Sequence, residues 1–495
     1  MEERQDVAIE DLQEPLLSSF QSEGEEWIVD DIISPNDHSV FSGNESGVSQ
    51  NLRDGLPYDT SILLKALYFL DALGSSTWGR FSAIYYNLHH LNSQQIGIIE
   101  GLRTAIPTLT QVFWGVVADK LHSRKLVWLT TKSISTIVLL TLALPIIYSS
   151  FAKILAVSLA AQLFVSDGII DGYTLDLLGT ENKMFYGRYR LYASLSWGLG
   201  SIVMGLVTDH FGFEPNFILF GLLGALMITL VALRIPETTQ SQTQEGADTD
   251  SGKVMELVLL FLRPRTFIFL LEVIAMGAGM ATVERLLFLY MVNDLEASTL
   301  LCGLSVGVNV LFELPIFWYA SKLMKTFGHD GLFIFSMACF VVRVYGYTLL
   351  GPSTKWNILF LEILHGVTFA CFWVTSTDIS KILVHQTRGA FWSTAIPSSV
   401  NMLYSAVGCS VGSVVGGWAM NRYGSREMYK YTAGIILCIF VLHTLGSITS
   451  RILYGTTLLP GSTPQTEIEA SEDGIEDEAT DNIQSEALHS DSQET

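Results

Sequence analysis

Twelve apolar runs divide most of the chain, and each is long enough for a helix to cross the hydrocarbon core of a bilayer, which takes about 20 residues. Apolar residues make up 49% of the chain and charged residues 16%, a balance typical of proteins adapted to lipid. We therefore predict an all-α membrane protein with twelve transmembrane helices and the lipid bilayer as a partner. The runs lie at 61–87, 95–118, 126–148, 152–178, 189–210, 214–235, 266–292, 300–322, 331–350, 356–380, 391–420 and 428–455.

The net charge of −21 belongs to two polar tails and not to the apolar body. Residues 1–60 contain 15 acidic and 2 basic residues, and residues 461–495 contain 11 acidic residues and no Lys or Arg. We do not expect a nucleic-acid partner, because binding the phosphate backbone takes clustered basic residues. Low apolar content predicts disorder for tails spanning 1–60 and 456–495. The protein partners of these tails stay open.

The runs form two sets of six. We predict an N-terminal six-helix bundle over 61–235, a linker over 236–265 and a C-terminal six-helix bundle over 266–455. Lys and Arg concentrate in alternate loops, and the positive-inside rule makes those loops cytosolic, together with the linker and both tails. The loop at 421–430 is an exception to this alternation, because it is basic although its place in the order of loops puts it on the opposite side. The basic residues of the loops predicted to be cytosolic are Lys120, Arg124, Lys125, Lys183, Arg188, Arg190, Arg263, Arg265, Lys322, Lys325, Lys381 and Arg388.

Short targeting patterns leave the destination membrane open. Asp11, Glu14, Leu16 and Leu17 fit an acidic dileucine sorting signal, which would favour an endomembrane over the plasma membrane. The first 60 residues contain no apolar core, so we expect no cleavable signal peptide.

The two sets of runs resemble each other weakly. An offset of 212 aligns Gly205 with Gly417 and Gly212 with Gly424, where two corresponding runs end. Such internal similarity is typical of transporters built from two repeats, which bind their substrate between the repeats near the membrane midplane.

Four motifs carry a family resemblance. WGVVADKLHSRK at 114–125, YGRYRLYASLSWGLGS at 186–201, ELP at 313–315 and LHGVTFACFW at 364–373 resemble the major facilitator superfamily. The nearest branch includes lactose permease and related sugar or nucleoside proton symporters. The resemblance covers residues 61 to 455, and it implies the major facilitator fold.

The first motif resembles the signature loop of that superfamily. It matches at Gly115, Ala118, Asp119, Lys120, Arg124 and Lys125, whereas His122 and Ser123 stand where a glycine and a basic residue are usual. The resemblance implies a conformational latch made of Gly115, Asp119, Lys120 and Arg124.

Charged residues inside the runs are the main site candidates, because an unpaired ion at a helix centre costs about 2.5 to 3.5 kcal/mol. Asp167 and Asp171 lie one helical turn apart, so close approach of the like charges should favour holding a proton on one of them. The proton-coupling candidates are Asp71, Asp167, Asp171, Glu313, Glu362 and His365. Further charges in the runs include Glu100, Arg103, Glu272 and Glu284. Glu100 and Arg103 are three residues apart on one helical face, where they either neutralise each other or serve the site.

Glu362 and His365 lie one helical turn apart at mid-membrane depth, near the depth of Arg343 in the preceding run. By resemblance to lactose permease, His365 and Arg343 are implied in proton coupling. Thr368 stands where the relatives carry a carboxylate, and we expect Glu362 or Glu313 to supply the missing acid. Trp78 lies on nearly the same face as Asp71. The substrate-binding candidates are Trp78, Arg80, Arg285 and Arg343.

These patterns predict a secondary active transporter that moves a sugar, a nucleoside or a similar small polar solute by alternating access, coupled to protons. A receptor or scaffold on a transporter fold is the alternative. We expect no enzyme, because no nucleophile elbow, metal triad or protease aspartate pair has the required spacing. The five cysteines lie in apolar runs without metal-ligand spacing, so we expect no metal site and no cofactor.

Overall fold

The computed structural model describes residues 52–179, 182, 185–235, 251–387 and 392–461. A hairpin of β1 (Leu52–Arg53) and β2 (Leu56–Pro57) precedes the helices. The N-half consists of α1 (Tyr58–Trp78), α2 (Ser82–Leu88), α3 (Ser93–Leu121), α4 (Arg124–Leu140), α5 (Pro145–Tyr148), α6 (Phe151–Gln162), α7 (Gly168–Leu178), α8 (Tyr186–Phe211) and α9 (Glu214–Arg234). After α10 (Ser251–Phe261), the C-half consists of α11 (Pro264–Asn293), α12 (Thr299–Trp318), α13 (Ala320–Tyr347), α14 (Ile358–His385), α15 (Trp392–Met402), α16 (Ser410–Tyr423) and α17 (Ser425–Tyr454).

The fold is all-α, as the sequence predicts, and helices occupy all twelve runs in the described part of the chain. Nine of the described spans are long and apolar enough by composition to cross a membrane. The first, second and fourth runs fall outside that set. The first and fourth are interrupted part-way along, and the second, α3, carries Glu100, Arg103, Asp119 and Lys120.

The interruptions occur where the side chain of another helix fits against the backbone. In the first run, a Cβ on Gly79 would lie 2.6 Å from the ring of Trp197, so only glycine fits there. In the fourth run, the indole nitrogen of Trp114 donates to the carbonyl oxygen of Leu163 at 2.8 Å. Backbone groups freed inside a membrane need such partners. Discontinuous helices are also where transporters of this architecture build their sites.

The eleventh run is interrupted in a different way. A π-helical segment, Leu403–Cys409, joins α15 to α16. It packs tightly on α11, because a Cβ on Gly408 would lie 2.6 Å from the carbonyl oxygen of Ile274. Single π turns are frequent at functional sites.

The two halves meet at one end of the helices. We call the end that carries Lys120 to Lys125 the basic end, and the opposite end the far end. At the far end, Asn87 donates to Asn293 at 2.9 Å, and the Asp209 carboxylate accepts from the backbone N–H of Thr299 at 2.7 Å. Glycines bring the backbones together nearby: a Cβ on Gly303 would lie 2.2 Å from the carbonyl oxygen of Ser201.

The buried apolar residues also connect the two halves at the far end. One large cluster extends through the C-half and includes N-half residues near the far end, such as Phe81 and Ile96. The second cluster contains N-half residues towards the basic end, such as Leu64, Trp128 and Tyr189. The halves therefore share one core at the far end, while the basic part of the N-half has a core of its own.

Described elements lie across three of the predicted boundaries. Residues 52–60, assigned to the disordered tail, form the hairpin and the first turn of α1. Residues 456–461, assigned to the other tail, fold back on the C-half, where Asp330 accepts from the backbone N–H groups of Leu458 and Leu459 at 3.0 Å each. The linker contains α10, whose residue Leu260 is buried. The remaining tail residues, including the sorting pattern at 11–17, lie outside the described residues.

Candidate functional site

Three side chains from both halves meet where α1 is interrupted, and we call them the cross-half cluster: Arg80, Glu284 and His365. Oε1 of Glu284 on α11 lies 3.9 Å from Nη2 of Arg80 and 3.5 Å from Nε2 of His365 on α14. Arg80 belongs to the N-half and the other two residues to the C-half. One carboxylate oxygen therefore connects a cation of one half with a titratable ring of the other.

A second ion pair crosses between the halves beside this cluster. Arg285 follows Glu284 on α11, and neighbouring helical residues point about 100° apart, so it reaches a different partner. Its Nη1 lies 3.6 Å from Oε2 of Glu100 on α3. Glu100 also pairs with Arg103 at 3.2 Å and accepts from the Ser82 hydroxyl at 2.7 Å. The predicted Glu100–Arg103 pair thus exists, and it is also bound to the C-half.

The C-half contributes a buried polar group behind His365. Oε2 of Glu362 lies 3.5 Å from Nδ1 of His365, and the Tyr347 hydroxyl donates to the other carboxylate oxygen. Arg343 is completely buried, and its Nε and Nη1 have no hydrogen-bond partner among the described residues. Its Nη2 is 3.6 Å from the sulfur of Met280. Desolvated N–H groups without partners are costly, so this region holds unused hydrogen-bonding capacity.

Glu313 on α12 is the least supported acid of the site. Within the described chain it forms no hydrogen bond and no ion pair, and its charged neighbours are Glu284 and Arg80. The helices approach closely at this point, because a Cβ on Gly366 of α14 would lie 2.8 Å from the Glu313 nitrogen. Both acids expected to stand in for the carboxylate missing at Thr368 thus lie close to the cross-half cluster. Glu362 lies beside the His365 ring itself.

The acids predicted in the N-half have fixed partners instead. Nζ of Lys132 on α4 lies 2.7 Å from Asp71 and 3.3 Å from Asp167, and we call these three residues the N-half triad. Asp171 accepts from the Tyr68 hydroxyl at 2.7 Å and pairs with Arg190 at 3.4 Å. Asp167 and Asp171 therefore have separate partners, because the interruption before α7 places Asp167 opposite Lys132.

Trp78 belongs to a buried aromatic cluster. Its ring centroid lies 5.2 Å from that of Phe217, 5.3 Å from Tyr85 and 5.7 Å from Tyr86, and the side chain is buried. Helical phase placed it correctly near the face of Asp71. It could not predict that α2 and α9 would cover that face.

The loop of the predicted latch contacts its own half. Arg124 pairs with Asp176 and lies 3.8 Å from Asp119, while Nζ of Lys125 donates to the carbonyl oxygens of Ala232 and Ile235 at 2.8 and 2.7 Å. Lys120 is exposed, and a Cβ on Gly115 would meet nothing within 4 Å. Packing therefore does not require the glycine.

His122 explains why a glycine is usual at its position in the resembling loops. It ends α3 with φ of 51°, in the left-handed region, which glycine adopts without steric cost and other residues adopt less readily.

Sequence reasoning missed two charged side chains that pair with the candidate residues. Glu284 was recognised as an intramembrane acid but was not chosen as a site residue, and Lys132 was overlooked. Lys132 had a visible signal, since it is a lone base within the run at 126–148. The partners of both residues lie on other helices, and spacing along one helix does not identify such pairs.

The fold and the buried charges between two helical halves define a multi-pass membrane transporter. The chain belongs to the MFS_1 like family, whose model matches residues 61–431. It is 22% identical over 402 residues to the Bacillus subtilis transporter YwbF, which covers 80% of this chain and 92% of that protein. It is 24% identical to the maltose permease of Geobacillus stearothermophilus, over 69% of this chain and 82% of that protein.

Another relative is longer. Major facilitator superfamily domain-containing protein 6-like protein B of Xenopus laevis is 22% identical over 58% of this chain, which spans 46% of that protein. Among solved structures, the nucleoside transporter NupG superimposes with a TM-score of 0.66 at 17% identity, covering 78% of this chain and 98% of NupG. That likeness establishes the major facilitator fold.

Proposed function

We propose that this membrane transporter is a proton-coupled carrier of a small polar solute that works by alternating access. The observation that carries the proposal is the Glu284 carboxylate, which lies between Arg80 of one half and His365 of the other. The charge on this one carboxylate therefore affects how strongly the two halves attract each other.

The coupling follows from the charge on that carboxylate. When Glu284 is ionised, it attracts Arg80 and favours the arrangement in which the far end is closed. A proton on Glu284 removes the attraction and favours separation of the halves there. Because linkage is reciprocal, a solute that favours one arrangement changes the proton affinity by the same factor.

Neighbouring groups complete the proton path in this proposal. His365 has one nitrogen towards Glu284 and the other towards Glu362, at 3.5 Å in each case. Imidazole exchanges protons near neutral pH through either nitrogen. Glu313, near Glu284, serves as a further proton acceptor. Asp71, Asp167 and Asp171 are assigned a structural role, because their basic partners, Lys132 and Arg190, belong to the same half.

The solute is proposed to bind between the halves, next to Arg285 and Arg343. The N–H groups of Arg343 that have no partner among the described residues are suited to hydroxyl or carbonyl oxygens, and related permeases are named for maltose and lactose. A sugar, or a nucleoside with its ribose hydroxyls, fits this chemistry. With the basic end cytosolic, as the positive-inside rule predicts, the described arrangement is the inward-facing one. Asp119, Lys120 and Arg124 then serve as a latch when the basic end closes.

Uptake into proteoliposomes tests the proposal. Labelled maltose, lactose and uridine are offered with the exterior at pH 5.5 or 7.5 and the interior at about pH 7.5. Uptake of at least one solute that rises above the outside concentration only under the inward proton gradient supports coupling. Equilibration that is indifferent to the gradient would contradict it.

A receptor or scaffold would behave differently in the same assay. Transport would be absent, and removal of residues 462–495 would abolish partner recruitment while Glu284→Gln would not.

A further inference from the structure

An acidic side chain at the entrance of the N-half is held like a bound ligand. The hairpin before α1 places the Asp54 carboxylate between α1 and α8, where Oδ1 accepts from Nη1 of Arg188 at 2.8 Å and Oδ2 pairs with Lys65. The Tyr189 hydroxyl donates to the Asp54 carbonyl oxygen at 3.0 Å. The carboxylate is only 13% exposed.

The groups around Asp54 form an anion-binding arrangement. Lys65 projects from the membrane helix, is nearly buried, and lies 5.7 Å from the ring centroids of both Tyr189 and Tyr192. Burial opposes ionisation of Asp54, but the hydrogen bonds from Lys65 and Arg188 outweigh it and hold the pKa of the carboxyl below its ordinary value of 3.8. The carboxylate thus stays charged throughout the physiological range and occupies the two cations.

A cleft opens beside the same lysine. Its volume is about 440 Å³, and it is lined by Ile62, Lys65, Ala66, Phe69, Leu70 and Tyr192. Clefts of roughly 300 to 1,000 Å³ accommodate small-molecule ligands. An anionic group bound at Lys65 would have room for the rest of its molecule there.

The hairpin that carries Asp54 is small. The two strands have two residues each, and Asp54 and Gly55 between them both have positive φ, at 53° and 78°, as a type I′ turn requires. An isolated two-stranded hairpin is marginally stable in water. Its place over the cations therefore depends on its contacts with the helices, among them those of Asp54.

We propose that Lys65 and Arg188 form a binding site for the carboxylate or phosphate group of a small soluble anion, and that Asp54 occupies this site as a tethered internal competitor. A short tether gives a competing group an effective concentration in the millimolar range. Soluble anions bind weakly while Asp54 is in place and bind more tightly once it is removed. The inference concerns binding alone and does not depend on proton coupling.

Titration of the full-length protein with inorganic phosphate, in phosphatidylcholine nanodiscs, tests this site. We expect Asp54→Asn to bind phosphate about tenfold more tightly than the wild type, and the added change Lys65→Met to remove the gain. Asp59→Asn is the matched control, because Asp59 is an exposed carboxylate five residues away. It should leave phosphate binding unchanged.

Gly55→Ala provides a second route that leaves all three charged groups intact. A Cβ at Gly55 would lie 2.8 Å from side-chain atoms of Asn182 and Phe185, so the turn is displaced and phosphate binding should again tighten. If neither Asp54→Asn nor Gly55→Ala improves phosphate binding, or if Asp59→Asn improves it equally, the inference is wrong. Loss of the gain in nanodiscs containing phosphatidylserine would assign the site to lipid headgroups and overturn the soluble-anion proposal.

Discussion

The N-half triad and the cross-half cluster both bring opposite charges together within the apolar runs, but their partners are distributed differently. Lys132 binds Asp71 and Asp167, and all three belong to the N-half. Glu284 is shared by Arg80 and His365, which belong to opposite halves. An ion pair within one rigid half is unchanged when the halves move, whereas a pair between halves must break. Intramembrane charge alone therefore does not identify a coupling residue.

The largest expected effect comes from neutralising the shared carboxylate. Glu284→Gln leaves Arg80 and His365 without their anion, and loss of one partner of a buried pair costs about 3 to 5 kcal/mol. Gradient-driven uptake in proteoliposomes should fall about 100-fold or more. Glu284→Asp retains the charge and should keep a measurable part of the uptake. Equal loss in both variants would indicate a packing role and not a coupling role.

Removing the base of the N-half triad should act on stability instead. Lys132→Gln leaves two acids facing each other. Because the Asp167 side chain is 46% exposed, solvent screens part of the repulsion, and we expect about 1 to 2 kcal/mol of destabilisation, measured by thermal unfolding. Uptake per folded molecule should change less than about threefold. The triple variant Lys132→Gln, Asp71→Asn, Asp167→Asn should recover most of the lost stability, because no unpaired charge remains. Strong loss of proton coupling in that triple variant would assign the triad to the transport cycle.

Close helix approach at the far end can be tested with glycine substitutions. Gly303→Ala places a Cβ against the carbonyl oxygen of Ser201, so the closed far end is disfavoured and uptake should fall about tenfold. Gly434→Ala is the matched control, because a Cβ there meets nothing within 4 Å. It should change uptake less than about twofold. An effect at Gly434 as large as that at Gly303 would contradict the role of close helix approach at the far end.

The smallest expected change in uptake follows from neutralising Glu313, the acid that has no ion-pair partner among the described residues. Glu313→Gln should lower uptake about threefold and make uptake less dependent on external pH, because one proton acceptor beside Glu284 is lost. Pairing is intact elsewhere, so thermal stability should stay close to that of the wild type. An unchanged pH profile of uptake would remove Glu313 from the proton path.

The fold could be predicted from the sequence because spanning length and loop charge are local properties of the chain. The interruptions could not be predicted in the same way. Gly79 lies in an apolar run like other glycines, and only the ring of Trp197 shows why α1 ends there. The hairpin at Asp54 and Gly55 had a local signal, since Asp-Gly is a favoured turn pair, but it lay in a tail expected to be disordered.

The candidate site was predicted as a set of residue types and not as a set of pairs. Arg80, Arg285 and His365 were chosen because charge at membrane depth is costly, and that argument gives no partner. Pairing depends on how α1, α11 and α14 meet in space. It therefore needed coordinates, which also show Trp78 packed among Tyr85, Tyr86 and Phe217.

The central claim is that protonation of Glu284 governs separation of the halves at the far end. Spin labels on Leu88 and Ser353, exposed far-end residues of opposite halves, report that distance in a variant whose five native cysteines are replaced. We predict that lowering the pH lengthens the distance in otherwise wild-type protein, and that Glu284→Gln is already lengthened and insensitive to pH. A Glu284→Gln protein that keeps the wild-type response to pH would contradict the account.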